Sequence, residues 1–403
     1  MENRCLLITR EYPPDRGGVA EYYRGLVEHM PSDMVNVMTP VDDELGIKNK
    51  ELGSREGVPV MRRIFTWKLW PRWGRLVVSL ITELRRERYA WVWVGQVLPI
   101  GTAVLISRFI VRSVYRFSRH SGTPPEAVAN FQLLVFTHGM DVTALRGRRR
   151  WLARMIFQRA DLVIANSQWT KNALLLLGVD KQKIHVLTPC PAVAHTQPKF
   201  QIPNSSAKGG SAFGGKSFTR PLILAVGRLV ARKGFDTVIE VFARVQEHIP
   251  RCQLAIIGDG PERSRLEALA RRHGIDPQSC FMGALESAAI AQWYARASVV
   301  LFLPRDNGGG DVESFGMVVL EAHAYGVPVV ASRSGGVGET LEDGVNGFLV
   351  EPGDVSGAAE KVMLLMRDAT LAERFGREGH ARVKRDFQWQ ARAHRIMQLC
   401  ALA

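Results

Sequence analysis

Two cations follow a strand-like stretch early in the second half of the chain. The run Ala225-Val-Gly227-Arg228-Leu-Val-Ala-Arg-Lys233-Gly234 begins apolar, as a buried strand does, and then turns basic. Gly227 lets the backbone approach a ligand closely, and Arg228 and Lys233 could neutralise a diphosphate without a metal. A solvated basic turn is the alternative, but the strand context favours phosphate binding.

Two glutamates in Glu313-Ser-Phe-Gly-Met-Val-Val-Leu-Glu321 could bind a sugar. On one helix this spacing is about two turns, so we expect both carboxylates on one side. Carboxylates accept hydrogen bonds from neighbouring hydroxyls, and a helix that starts at Phe315-Gly316 would point N–H groups at the same ligand. Two unrelated glutamates on an exposed helix explain the spacing equally well.

The first half offers weaker signals. Gly17 and Gly18 lie between a predicted strand and its helix, where backbone N–H groups can bind an anion, although a plain turn has the same composition. His138 directly follows the predicted strand Leu133–Phe136 and could donate to a sugar hydroxyl or support charge there. A lone histidine is more often structural.

Short apolar strands alternate with helical stretches along the whole chain, which indicates parallel sheets covered by helices on both faces. Residues 201–219 are rich in Ser, Gly and Lys and are typical of a flexible linker. We therefore expect two α/β, doubly wound domains, 1–200 and 220–385, followed by a final helix at 386–403. The uncharged stretch Ala90–Ser107 favours strand, loop and helix over a membrane span, because Gly95, Pro99 and Gly101 interrupt it. The predicted strands are Cys5–Ile8, Val35–Met38, Trp91–Val94, Leu133–Phe136, Leu162–Ala165, His185–Leu187, Leu222–Val226, Gln253–Ile257, Val299–Leu303 and Val327–Ala331.

The net charge of +14 favours a polyanionic partner. Residues 1–200 carry most of it, with 29 basic and 17 acidic residues. The spacing of Arg108, Arg112, Arg116 and Arg119 predicts a basic amphipathic helix suited to an anionic membrane, with Arg148–Arg150 as a further cluster. A solvated face is an equal alternative, and no nucleic-acid-binding motif accompanies the charge, so we expect no nucleic acid partner.

Taken in order, the glycines, cations and glutamates resemble glycosyltransferase family 4. That family has the GT-B fold, with two Rossmann-like domains facing a cleft, and transfers a sugar from a nucleotide-sugar donor with retention of configuration. The resemblance is carried by Gly227-Arg228…Lys233, Gly258-Asp259-Gly260-Pro261, Glu313…Glu321, Gly335-Gly336 and Asn346-Gly347.

The resemblance implies a role for each matching residue. In the second domain it implies Gly227, Arg228 and Lys233 at the donor diphosphate, Glu313 and the N–H groups of Phe315, Gly316, Met317 and Val318 at the sugar, Glu321 at the ribose and Met282 at the base. In the first domain it implies Gly17 and Gly18 near the donor and His138 at the reacting sugar. The final helix would cross back to the first domain. No metal or cofactor is expected, because the sequence has no convincing DxD motif and the nucleotide sugar is itself a substrate.

The loop Arg305–Val312 contains Gly-Gly-Gly-Asp-Val before Glu313, and is similar to that of bacterial phosphatidylinositol-mannoside mannosyltransferases. We therefore expect a hexosyltransferase that uses GDP-mannose or a UDP-sugar and a lipid-linked or glycan acceptor. It would be cytoplasmic, with peripheral contact to the inner face of the plasma membrane. The alternatives are a GT-B-fold nucleotide-sugar epimerase and, less favoured, a nucleic-acid-binding protein.

Overall fold

The computed structural model describes residues 4–13, 17–40, 60–63, 74–117, 130–191 and 220–402. The chain divides into two units, one made of Met1–Pro189 with Trp389–Ala403 and the other of Cys190–Gln388. The linker predicted at 201–219 lies outside the described residues, as do Pro14–Arg16 before Gly17 and Arg119 of the predicted basic helix.

The first unit is built on a seven-stranded parallel sheet in the order β3-β2-β1-β4-β5-β6-β7. β1 pairs with both β2 and β4, so the strand order reverses beside it. β1, β4 and β6 are fully buried, as expected for strands covered on both faces. The strands are β1 (Cys5–Ile8), β2 (Val35–Pro40), β3 (Val60–Arg63), β4 (Trp91–Val94), β5 (Gln132–Thr137), β6 (Leu162–Ala165) and β7 (Ile184–Val186).

Helices connect these strands. α2, α3 and α5 share one apolar core with the sheet, through residues such as Leu76, Val104 and Phe157. α2 packs beside α3, and α3 packs beside α5. These three helices therefore form one layer. The helices are α1 (Gly18–Val27), α2 (Gly74–Arg86), α3 (Thr102–Phe117, after a π-helical turn at Val97–Gly101), α4 (Met140–Thr143), α5 (Gly147–Arg159) and α6 (Gln168–Leu176).

The second unit has a six-stranded parallel sheet in the order β10-β9-β8-β11-β12-β13. Here the order reverses between β8 and β11. Its strands are β8 (Leu222–Val226), β9 (Gln253–Ile257), β10 (Phe281–Gly283), β11 (Val299–Phe302), β12 (Val329–Ser332) and β13 (Gly347–Val350). Its helices are α7 (Phe235–His248), α8 (Arg263–Arg272), α9 (Pro277–Cys280), α10 (Ser287–Arg296), α11 (Met317–Ala324), α12 (Val355–Arg367) and α13 (Ala369–Asp386).

The last helix, α14 (Trp389–Leu402), begins three residues later than the start expected at 386. It packs on α1 of the first unit. Trp389 is 3 % exposed, and its indole occupies the space that a side chain at position 25 would need, so Gly25 permits this contact. The rings of Trp389 and Tyr22 meet edge to face at 5.6 Å.

The ten predicted strands are confirmed to within two residues at each end. Most of them contain a run of four or five apolar residues, which predicts a buried strand. Three further strands were missed. β3 is Val-Met-Arg-Arg, β10 is Phe-Met-Gly and β13 is Gly-Phe-Leu-Val, so arginine or glycine leaves each of them only two or three apolar residues. Ala90–Ser107 forms β4, the π-helical turn and the start of α3, as expected. Within the described residues, no helix is long and apolar enough to cross a membrane.

Two glycines with the same backbone conformation allow a test of close packing. Gly234 and Gly274 have φ of +66° and +71°, but a Cβ on Gly234 would overlap the carbonyl oxygen of Leu303, whereas one on Gly274 would meet no described residue within 4 Å. We expect Gly274→Ala to lower the free energy of unfolding by about 1 kcal/mol, from left-handed strain alone. Gly234→Ala should lower it by about 3 kcal/mol or more, since backbone must move. Urea unfolding measures both, and equal losses would contradict the proposed overlap.

Candidate functional site

The candidate site of the second unit lies where the strand order reverses, at the carboxyl ends of β8 and β11. Ligands of doubly wound sheets bind at this position. The segment after β8 runs from Gly227 to Gly234, and the segment after β11 runs from Leu303 to Gly316. The backbone N–H of Arg305 donates to the carbonyl oxygen of Arg232 at 2.8 Å, so the two segments are in direct contact.

Lys233 and Glu313 form an ion pair at the centre of this edge. Lys233 Nζ lies 2.6 Å from Glu313 Oε2, and each side chain is only 13 % exposed. The ammonium also lies 5.0 Å from the centroid of the Phe302 ring. Burial alone would raise the pKa of Glu313, but the Lys233 ammonium, with Arg232 and the Gly316 N–H, holds that pKa below its ordinary value. Glu313 is therefore an anion that a buried cation balances.

The glycine pair Gly335-Gly336 supports the Glu313 segment from behind. The Gly336 N–H donates to the carbonyl oxygen of Glu313 at 3.0 Å. A Cβ on Gly335 would overlap that same oxygen, and one on Gly336 would overlap the carbonyl oxygen of Ser314. In the described structure these glycines allow close backbone packing.

Two further ion pairs hold the segments together, and no sequence motif indicated them. Arg305 donates two hydrogen bonds to Asp236, at 2.9 and 2.8 Å, and Asp236 stands in the first turn of α7, just after Lys233. Arg232 donates to Asp311 at 3.2 Å. The pairs join residues 69 and 79 positions apart, which no local pattern reveals.

Helix α11 begins at Met317, as expected from Phe315-Gly316, with Gly316 as its left-handed N-cap. Within the described residues no side chain caps this N-terminus. The expectation that Glu313 and Glu321 share a helix is wrong, because Glu313 lies before the N-cap. The loop and the ion pair position Glu313, whereas the helix positions Glu321.

The remaining predicted donor residues lie close to this edge in sequence or structure. The Lys233 side chain passes Gly227, with Cδ and Cε 4.0 Å from the position of a Cβ there. Arg228 follows Gly227 and is exposed. Met282, in β10, is half-buried against the core that includes Tyr294. Val318 lies in the first turn of α11 and is 8 % exposed.

In the first unit, Gly17 is the N-cap of α1 and Gly18 is its first residue. Gly17 has φ of +150°, which favours glycine, and a Cβ on Gly18 would meet no atom of the described residues within 4 Å. The backbone there is thus open to close approach. Nothing in the described structure tests their predicted contact with a donor.

His138 follows β5, as expected, and lies in a buried hydrogen-bond network. The Tyr23 hydroxyl donates to the Gly95 carbonyl oxygen at 2.6 Å, and His138 Nε2 lies 2.7 Å from the Tyr23 oxygen. A hydroxyl has one proton, so this arrangement places a proton on Nε2. Burial lowers the pKa of His138 to about 4, although the Gly95 carbonyl opposes the shift. At neutral pH the ring is uncharged, which argues against its supporting charge and favours a hydrogen-bonding role.

Asp141 anchors the His138 backbone, since its Oδ1 accepts from the His138 N–H at 2.8 Å. Burial raises the pKa of this carboxyl to about 6, with a further increase from Glu11, while the N–H groups of His138, Asp141 and Val97 oppose the shift. The sequence did not indicate a carboxyl with a raised pKa here, because Asp141 is one polar residue in a short segment after the predicted strand.

The basic helix predicted from Arg108, Arg112, Arg116 and Arg119 is only partly correct. Arg112 is exposed, but Arg108 is half-buried, with its guanidinium 4.9 Å from the centroid of the Phe131 ring. The next residue, Phe109, is 71 % exposed. The outer face of α3 is therefore both apolar and basic. Arg108 is half-buried because its guanidinium packs on Phe131, a residue distant in sequence.

Among the described residues, no group of three or more His, Cys, Asp and Glu side chains is arranged to hold a metal ion.

The pKa of Asp141 gives a test by pH. Because the folded state raises this pKa from 3.8 to about 6, it binds more protons than the unfolded state between those values. Its contribution to stability therefore falls as pH rises through that window. Relative to wild type, Asp141→Asn should gain about 2–3 kcal/mol in free energy of unfolding between pH 4 and pH 7.5. Denaturant titrations with exposed Asp33→Asn as control measure this, and a pH-independent difference would contradict it.

Comparisons with known proteins show the family and the fold. Residues 16–190 match the family model Glycosyltransferase Family 4, and residues 212–382 match Glycosyl transferases group 1. The chain is 28 % identical over 404 residues to a GDP-mannose-dependent alpha-(1-6)-phosphatidylinositol monomannoside mannosyltransferase of Mycolicibacterium smegmatis, covering 98 % of this chain and 97 % of the relative. A monoacylated-substrate counterpart from Corynebacterium glutamicum is 29 % identical, with the same coverage. The crystal structure of Anabaena HepE with UDP-glucose matches with a TM-score of 0.75 at 20 % identity, covering 99 % of this chain and 100 % of that one. The chain therefore belongs to glycosyltransferase family 4 and is a glycosyltransferase of the GT-B fold.

Proposed function

We propose that the chain transfers mannose from GDP-mannose to a lipid-linked acceptor, with retention of configuration. The observation that carries the proposal is the buried Lys233–Glu313 pair beside the N-terminus of α11, at the edge of the sheet where a nucleotide sugar is expected. The full-length similarity to GDP-mannose-dependent mannosyltransferases supports this choice of donor and acceptor. A UDP-sugar is the alternative donor, as in the HepE complex.

The leaving group explains the need for cations. When the bond from the sugar to the diphosphate breaks, the diphosphate gains negative charge, and preorganised cations and N–H groups stabilise it. Lys233 is held ready by Glu313 and by the Phe302 ring. Arg228 adds a second charge after the same strand. We propose that Lys233 pairs with the donor phosphates when the donor binds. Glu313 is then released from Lys233 and accepts hydrogen bonds from the sugar hydroxyls.

Retention requires attack from the side that the diphosphate leaves. In our proposal the acceptor hydroxyl attacks the anomeric carbon on that face, and its proton passes to the departing phosphate oxygen. His138, neutral and oriented by Tyr23, would hydrogen-bond the reacting sugar rather than carry charge. Gly17 and Gly18 would allow the backbone of the first unit to contact the donor.

The site residues are tested by kinetics. Lys233→Ala should lower kcat for mannosyl transfer by about a hundredfold or more, because leaving-group stabilisation is lost. Lys361→Ala is a matched control, since Lys361 also pairs with a glutamate, at 3.0 Å, and lies 5.4 Å from the Phe348 ring, but on α12. Full activity of Lys233→Ala, with a native fold, would refute the assignment of Lys233.

Donor identity is tested by ligand-induced stabilisation. We expect GDP and GDP-mannose to raise the melting temperature more than UDP- or ADP-sugars, because a ligand of the folded state stabilises it. Product from donor alone would instead indicate an epimerase. A shift with UDP-sugars only would overturn the proposed donor, and no shift with any nucleotide would overturn the site.

We further propose that the layer of α2, α3 and α5 contacts an anionic membrane, at the inner face of the plasma membrane. Among the described side chains, each helix has one large apolar residue that is exposed: Val78 is 57 %, Phe109 71 % and Trp151 60 % exposed. The three helices contain eleven arginines but only one acidic residue, Glu83, which is buried and accepts a hydrogen bond from Tyr89. Exposed apolar side chains among cations are typical of peripheral membrane surfaces.

Vesicle binding tests this surface. We expect co-sedimentation with phosphatidylglycerol-containing vesicles but little with pure phosphatidylcholine, because each basic side chain near an anionic surface contributes about 1 kcal/mol. The double variant Phe109→Ser/Trp151→Ser should bind at least about tenfold more weakly. Leu402→Ser is the control, since Leu402 is 82 % exposed on α14. Equal loss in both variants, or binding independent of lipid charge, would contradict the proposal.

A further inference from the structure

A buried tyrosine contacts the second glutamate of the candidate site. Tyr294, in the last turn of α10, is 2 % exposed, and its hydroxyl donates to Glu321 Oε2 at 2.8 Å. Glu321 lies on α11. The hydrogen bond therefore ties the carboxylate to a second helix, independently of the Lys233–Glu313 pair.

The position of the hydroxyl is fixed by the packing of its ring. The Tyr294 ring stacks on that of Tyr325, with centroids 5.5 Å apart and planes 7° from parallel. Tyr325 is the C-cap residue of α11, one turn after Glu321. Met282 and Tyr325 pack on the core cluster to which Tyr294 belongs. Burial, with Glu321 next in importance, raises the pKa of Tyr294 well above its ordinary value, so the hydroxyl keeps its proton.

We propose that Tyr294 is a positioning residue for nucleotide recognition: it orients the Glu321 carboxylate so that this group can accept hydrogen bonds from the ribose diol of the donor. The inference rests on the proposed function, together with the role at the donor ribose that the family resemblance implies for Glu321. Because the Tyr294 hydroxyl already holds the Glu321 carboxylate, this carboxylate loses little rotational freedom when the nucleotide binds. Its hydrogen bonds to the ribose diol therefore form at a lower entropic cost.

The arrangement predicts selectivity within the sugar of the nucleotide. A site built to hydrogen-bond a hydroxyl rejects the analogue that lacks it, because a polar group is then left without its partner. With Tyr294 in place, we expect GDP to bind more tightly than 2′-deoxy-GDP. When the Tyr294 hydroxyl is removed, the Glu321 carboxylate can rotate. The difference in affinity between GDP and 2′-deoxy-GDP should then become smaller.

The test compares Tyr294→Phe with wild type by calorimetry and by kinetics. We expect the Kd for GDP and the KM for GDP-mannose to rise about tenfold, with kcat changed less than twofold. The ratio of the Kd for 2′-deoxy-GDP to that for GDP should fall severalfold. If Tyr294 only stabilised the fold, Tyr294→Phe would lower the affinity for GDP and for 2′-deoxy-GDP equally and leave that ratio unchanged.

Tyr89→Phe is the matched control, because Tyr89 also donates to a glutamate, Glu83, at 2.8 Å, but in the first unit. It should leave the GDP ratio unchanged. If Glu321→Gln raises the Kd for GDP while Tyr294→Phe does not, the positioning role is refuted and the donor site stands. If neither variant changes it, the ribose assignment of Glu321 fails as well.

Discussion

The ion pair between Lys233 and Glu313 is the contact on which the second unit's site is built. At 2.6 Å and with little exposure, each charge depends on the other, because an unpaired charge buried at this depth is costly. The surrounding contacts serve this geometry: Arg305 joins Asp236, Arg232 joins Asp311, and Gly335-Gly336 supports the backbone of Glu313. The result is a cation, an anion and a helix N-terminus fixed before any substrate binds.

Preorganisation of this kind suits transfer from a nucleotide sugar. Fixed charges stabilise a developing anion without reorganisation, which is the larger part of what a protein can contribute to such a step. In the first unit the chemistry is of the opposite kind. His138 is neutral, and Tyr23 and Asp141 orient it, so that unit offers hydrogen bonds at its strand ends rather than charge. Eleven of its arginines lie on the helices α2, α3 and α5.

Glutamates 313 and 321 show why spacing misleads. Their separation fits two helical turns, yet one stands in a loop and the other on a helix, and each is held by a residue distant in sequence, Lys233 or Tyr294. Spacing also misleads for the basic helix α3, where Arg108 packs on Phe131 and Phe109 is exposed. A periodic pattern gives the face of a helix but not what covers it.

The sequence alone determined the alternation of strands and helices, the positions of ten strands, the start of α11 and the family, because apolar runs and ordered glycines are local signals. Tertiary structure decided the rest. Strands β3, β10 and β13 are recognised by pairing with a neighbour, since arginine or glycine leaves each of them only two or three apolar residues. The ion pairs at Asp236 and Asp311, the neutral state of His138 and the hydrogen bond from Tyr294 depend on burial and on partners far away in the chain. These are properties of packing, which no short stretch of sequence contains.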